Sequence, residues 1–199
     1  MNIKTTSELN FLPVSLEEVK GFIHVEGENL DEDDLLTLHI KAATHTLEVL
    51  GWQSIIQKTR VLYLRDYPDK IYLPYPPFQA LNSVLSVTSI KYLPSSDGEN
   101  YTALNSSNYG LNETSFSPYI YWKSNASFPA IFDDVKAIEV IYNTGYPDAE
   151  SVPSEIKSVI LCLVSHLYDN RDLVAPVQLH ELPIAMNIMI ESIRKNSIA

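Results

Sequence analysis

The sequence predicts an α+β protein: a helical bundle, made of N- and C-terminal helices packed together, that carries an inserted small antiparallel β domain. Three observations predict it. Eleven of the twelve tyrosines lie between Tyr63 and Tyr146, and aromatic and β-branched residues suit half-buried pleated surfaces. Outside that stretch, apolar residues recur every three or four positions, the period of one helix face. Turn-forming residues cut the middle stretch into short segments at regular spacing. The layout is therefore discontinuous, with residues 1–57 and 150–199 as the helical unit and residues 58–149 as the β insertion.

The first helix is announced by Ser15, followed three residues on by Glu18. In such a capping box the serine accepts from a free backbone N–H and the glutamate reaches back. This helix should end near Phe22, and Gly27 and Asn29 mark a loop. The run Asp31, Glu32, Asp33, Asp34 then suits the positive end of a helix dipole. Leu36, Ile40, Ala43, Leu47 and Leu50 follow at spacings of four, three, four and three, one face of a helix that Gly51 should end. The acidic run is no calcium loop. Counting from Asp31, the sixth position is Leu36 and the twelfth Ala42, where such a loop needs Gly and Glu.

In the middle stretch, residues 59–64 alternate like a strand, and Tyr67, Pro68, Asp69 and Lys70 form a turn. Residues 71–73 are a short strand ended by Pro74, Pro76 and Pro77. Residues 84–92 are the strongest strand, with Val84, Ser86, Thr88, Ile90 and Tyr92 expected on one face. Ser95, Ser96, Asp97 and Gly98 signal a hairpin that returns through Tyr101 and Leu104. Further strands are expected over 108–111, 118–122 and 137–142, and residues 143–147 close the stretch as a turn. The tyrosines fill half-buried strand positions with their hydroxyls at the surface. A carbohydrate platform is the alternative, and it requires the rings to share one face.

Toward the C-terminus, Pro153 and Glu155 suit a helix start. Ile156, Ile160, Leu163 and Leu167 form a stripe that should pack on the Leu36–Leu50 face. Arg171 sits near the negative end of that helix, and Pro176 breaks the chain. A last helix is expected over 183–195. It is apolar on nearly every side, through Ile184, Met186, Ile188, Met189, Ile190 and Ile193. Such a helix must be covered on more than one side. Its expected cover is another subunit or a partner, with capping of the β insertion as the alternative. Leu182, Ile184, Met186, Ile188, Met189, Ile193 and Arg194 form this expected interface.

Composition excludes several classes. Lys and Arg number 14 against 25 Asp and Glu, a net charge of −11 that argues against gripping nucleic-acid phosphates. Residues 1–57 alone hold ten acids and three bases, a balance of −7. No apolar run has the length of a membrane span, and the N-terminus lacks the regions of a signal peptide. Cys162 stands alone, so no internal disulfide or multi-cysteine metal site is possible. It reads as a small core residue. The six glycines make no phosphate loop, dinucleotide fingerprint or nucleophile elbow. His39 and His45 point apart on their helix. His45 with Glu48, and His166 with Asp169, share helical faces but read as surface polar pairs rather than metal sites. Asp133 and Asp134 read as a loop. No catalytic residue, metal or cofactor is predicted, and no enzyme activity.

Taken in order, these segments resemble the long form of the phage head–tail connector family, also called adaptor or head-completion proteins. The residues that carry the resemblance begin with Ser15-Leu16-Glu17-Glu18-Val19-Lys20, then Asp33-Asp34-Leu35-Leu36 and Ala42-Ala43. They continue through Tyr75-Pro76-Pro77, Val84, Val87, Ser89-Ile90-Lys91-Tyr92, Asp97-Gly98 and Tyr109. Val140-Ile141-Tyr142, Gly145-Tyr146, Val152-Pro153, Ile156-Lys157, Tyr168 and Arg171 follow, with Leu182-Pro183 and Arg194 at the end. Coverage runs from about residue 15 to 195. Each motif alone is weak, and their order and spacing are specific together. Phe128-Pro129 stands where a Trp-Pro pair is common, and the last helix is richer in Ile and Met than the usual Leu-rich ending.

The resemblance implies a structural protein of the virion, made in the bacterial host cytoplasm and encoded by a phage or prophage. Its copies form a ring, dodecameric in the virion, between portal protein and tail. Isolated copies can stay monomeric until a template is present. The ring extends the DNA channel and completes the head. Its partners are the portal and a stopper or tail protein, DNA passes without specific binding, and no membrane is involved. Asp31, Glu32, Asp33 and Asp34 would line the channel or a ring interface, since acidic walls repel phosphates and let a duplex slide. Other classes remain as alternatives: a Tyr-rich module that binds glycan or a host surface, a small hydrolase with an unrecognised carboxylate site, or another phage joining protein such as a tail-completion factor.

Overall fold

Ser15 opens the first helix as its sequence demands. Its Oγ accepts from Glu18 N at 3.1 Å, and its own N–H donates to Glu18 Oε2 at 2.6 Å. In the computed structural model, residues 2–25, 30–77, 84–113, 117–169 and 191 are described. Among them are three α-helices and two antiparallel sheets. The order is β1 (Asn2–Glu8), α1 (Leu16–Ile23), α2 (Leu30–Gly51), β2 (Lys58–Leu64), β3 (Lys70–Tyr72), β4 (Val84–Tyr92), β5 (Thr102–Ala103), β6 (Tyr109–Asn112), β7 (Tyr119–Trp122), β8 (Ile138–Gly145) and α3 (Ser154–Asp169). A 3₁₀ turn, Ser106–Asn108, precedes β6.

The helices meet as the stripes require. Leu36, Ile40, Ala43 and Leu47 of α2 pack with Ile156, Val159, Ile160, Leu163 and Val164 of α3, and α1 adds Val19. Ile55 and Tyr146 close this cluster from the sheet side. Leu50 departs from the expected face and is 39% exposed. Gly51 is the last residue of α2 rather than its stop; Trp52 takes the left-handed conformation, at φ 53°.

The larger sheet has the order β1-β2-β8-β4-β5 and the smaller the order β3-β7-β6. Ile138, Val140 and Tyr142 of β8 face a second cluster with Leu62, Ile90, Ile71 and Ile120, so this core joins residues of both sheets. Three sequence expectations change here. β1 was not foreseen; it pairs antiparallel with β2 along the sheet edge. The single face expected for β4 is broken by a bulge between Val87 and Ser89. The extra residue moves the core-facing set from Leu85 and Val87 to Ile90 and Tyr92. β8 also runs on through Asn143 and Thr144 to Gly145, where a turn was expected. Gly145 holds φ 118°, and a Cβ there would lie 2.5 Å from Ile56 O. Only glycine lets the two backbones approach so closely.

Candidate functional site

The acidic run starts α2, as expected, but it is tied into the fold. Asp33 pairs with Lys20 of α1 at 2.5 Å. Glu32 accepts a hydrogen bond from the Tyr168 hydroxyl of α3. Asp34 is exposed, and Asp31 lies in the first turn. The run therefore clamps α1 and α3 to the start of α2 and presents Asp34 outward. The expected interface residues Leu182, Ile184, Met186, Ile188, Met189, Ile193 and Arg194 lie outside the described residues, as does Arg171; the neighbouring Glu191 is helical and exposed.

The pairing of Glu48 with His45 is corrected by the geometry. Glu48 is 5% exposed and turns inward. Its Oε1 accepts from Ile55 N at 2.8 Å and Ile56 N at 3.2 Å, and its Oε2 meets Lys58 Nζ at 2.5 Å. Lys58 also faces Glu8 at 3.4 Å. This knot joins α2 to the start of β2 at the seam between the two clusters. Cys162 packs partly buried against the helical cluster. Asp133 and Asp134 lie in a bend, where Asp133 pairs with Arg65 at 2.8 Å. Among the described residues no group of three or more His, Cys, Asp or Glu converges for a metal, and no helix is long and apolar enough to cross a membrane.

Beside the knot lies an aromatic stack that sequence patterning did not single out. Trp52 and Tyr75 stack at 5.7 Å with ring planes 18° apart. Both residues hold φ 53°. This conformation costs roughly 1–2 kcal/mol for a residue with a Cβ. Two such residues meeting in one stack mark a place where strain serves contact. Arg60 lies 4.4 Å from the centre of the Tyr75 ring. Its Nη1 donates to Thr5 Oγ1 and its Nη2 to Ser54 Oγ, both at 3.1 Å. The Tyr75 carbonyl is fixed from behind by Ser54 Oγ and Thr144 Oγ1. The available signal was Trp52 following the helix-ending glycine, in a chain with two tryptophans.

The tyrosines divide between core and surface. Tyr142 is buried, and its hydroxyl donates to Pro74 O at 2.7 Å. Tyr67 packs in a trio with Trp122 and Phe128, and burial pushes its hydroxyl up to about 12. Tyr72, Tyr119 and Tyr121 occupy alternating positions of β3 and β7, opposite in phase to the buried Ile71 and Ile120, and so share the outer face of the smaller sheet.

Solved structures share this fold. A chain of a structure described as "Virion of native gene transfer agent (GTA) particle" superposes with a TM-score of 0.71 at 17% identity, covering 98% of this chain and 95% of that one. A chain of "Neck of empty GTA particle computed with C6 symmetry" gives 0.71 at 18% identity with the same coverage. A chain of "Neck of native GTA particle computed with C12 symmetry" gives 0.66 at 18% identity, again with 98% and 95% covered. No protein-family model matches the sequence, and the comparison with curated proteins found no match.

Proposed function

We propose that the chain is a structural neck protein of a tailed phage or phage-like particle, built into a ring around the DNA channel. One observation carries this reading: the whole chain, not a fragment, shares its fold with chains of GTA particle structures, two of them neck structures. The symmetries of those neck structures, C6 and C12, support an oligomeric ring. The finer reading is an adaptor between portal and tail that completes the head. The ordered sequence motifs and the acidic balance support it, since a chain of net charge −11 repels DNA rather than holding it. The two buried clusters support a division into a helical unit, proposed as residues 1–57 and 150–199, and a β insertion, residues 58–149. One draws mainly on residues 14–55 and 152–164 and the other on residues 62–142, with Tyr146 in the helical cluster and Ile3 against the sheet cluster crossing the boundaries. The segment 183–195 is the proposed reach toward the portal.

A second reading, a glycan- or host-binding face, draws on Tyr72, Tyr119 and Tyr121 sharing one outer surface. Particles assembled without this chain separate the two. The neck reading expects DNA-filled heads that fail to join tails or lose their DNA. Tailed particles that only lose adsorption would favour the glycan reading instead.

A further inference from the structure

The surface at the C-terminal end of α2 is incomplete in one copy. Lys58 takes both carboxylates near it, Glu48 at 2.5 Å and Glu8 at 3.4 Å. Arg60, two residues along β2 and also only 8% exposed, is left with the neutral acceptors Thr5 and Ser54 and the Tyr75 ring. Its Nε has no hydrogen-bond partner. A guanidinium withdrawn from water calls for a carboxylate. Arg60 and Tyr75 line a hollow of about 280 Å³ together with Lys58 and the two carboxylates it holds, Glu8 and Glu48. Val49, 52% exposed, also lines it, and Trp52, 62% exposed, is stacked on Tyr75.

We propose that this hollow and the Trp52 face receive the N-terminal end of α2 from a second copy. The chemistry matches residue for residue. Asp34 and Leu38 lie four apart on one helix face, and both are exposed, Leu38 at 60%. They present a carboxylate and an apolar side chain side by side. Asp34 goes to Arg60, and Leu38 goes to Val49 and Trp52. Aromatic anchors in a desolvated pocket, paired with an arginine, are the usual hot spots of protein interfaces. Along the 22-residue helix Asp34 and Leu38 precede Val49 by fifteen and eleven residues, about 16–22 Å. A head-to-tail contact of this kind is satisfied on every copy when its rotation closes a ring and otherwise runs on as an open filament. An antiparallel pair would satisfy both ends at once and stop at a dimer. This inference rests on the ring reading.

The test uses assembled particles carrying the full chain with Leu38→Cys and Val49→Cys in a Cys162→Ala background. Within one copy these positions are about 16 Å apart along the helix, too far for a disulfide. Oxidation should yield a ladder of covalent multimers that rises to the whole ring, and either single variant should yield none. Asp34→Lys, at an exposed position that leaves the fold intact, should lower the yield of joined particles at least tenfold, with Asp34→Glu near the parent yield. An intact ring that gives no ladder, or covalent dimers alone, overturns this contact and leaves the ring reading standing. A neck that holds no ring of this chain overturns both.

Discussion

Replacing Glu48 with alanine should be among the most destabilising single changes in the helical half. Glu48 is 5% exposed and meets three donors: the Ile55 and Ile56 N–H groups at 2.8 and 3.2 Å and Lys58 Nζ at 2.5 Å. Truncation leaves two backbone donors and a nine-tenths-buried ammonium without their acceptor. Breaking a buried ion pair from one side costs about 3–5 kcal/mol. Glu8 remains 3.4 Å from Lys58 and is 46% exposed, so the lower end, about 3 kcal/mol, applies. For a chain of this size that is a fall in Tm of about 6–12 °C. Glu48→Gln keeps an acceptor for the two N–H groups and should cost about half as much. The double change Glu48→Leu with Lys58→Leu removes both charges together and should recover most of the loss. Urea unfolding followed by circular dichroism reads these differences from the midpoint at constant m. A Glu48→Ala loss below about 1 kcal/mol would mean the pair behaves as a surface pair, and the account of the seam would be wrong.

Three further outcomes follow from the same packing. Gly145→Ala places a Cβ 2.5 Å from Ile56 O at φ 118° and should cost at least about 2 kcal/mol in the same urea assay; a neutral result would contradict the close approach of the two backbones. Ser15→Ala should cost about 1 kcal/mol through loss of the α1 cap. The Ser15 N–H holds the Glu18 carboxyl below its ordinary value of 4.5, so the cap contributes fully above that pH and is lost as pH falls through the lower folded value. An NMR titration of Glu18 with its midpoint at or above 4.5 would refute it. Burial raises Tyr67 to about 12, so its contribution is complete below the ordinary value of 10 and is lost as pH rises through 12; Tyr67→Phe should make stability less sensitive to alkali, and equal sensitivity would count against its burial.

The legible parts of the fold were those with a local signal. The capping box at Ser15 and Glu18, the stripes of α2 and α3, and the branched residues of β2 and β4 each announce their element within a few residues. β1 has no such signal. Its sequence, Asn-Ile-Lys-Thr-Thr-Ser-Glu, carries one apolar side chain and is exposed at most positions. Its structure comes from pairing with β2, fifty or more residues away. The bulge at Thr88 is also a product of pairing, since it appears only where β4 is aligned with β8. At the candidate surfaces the lesson is similar. The acidic run was legible as a helix start, but its ties to Lys20 and Tyr168 depend on how α1 and α3 pack. Glu48 stands beside Leu47 on the buried side of α2, which was the available sign that it points inward. Arg60 shares a face of β2 with Leu62, and it meets the stack only because Ser54 and Thr144 hold the Tyr75 carbonyl beside it.

The central claim is that this chain forms a ring in the neck of a particle. The measurement that tests it most directly is a cryo-EM reconstruction of the neck of particles that contain this chain. The account predicts a closed ring of the chain around the DNA channel, with copy number in register with the twelve-fold symmetry of the similar neck structure. A complete neck with no density for this fold, or the chain found only at a fibre or on the capsid surface, would contradict it.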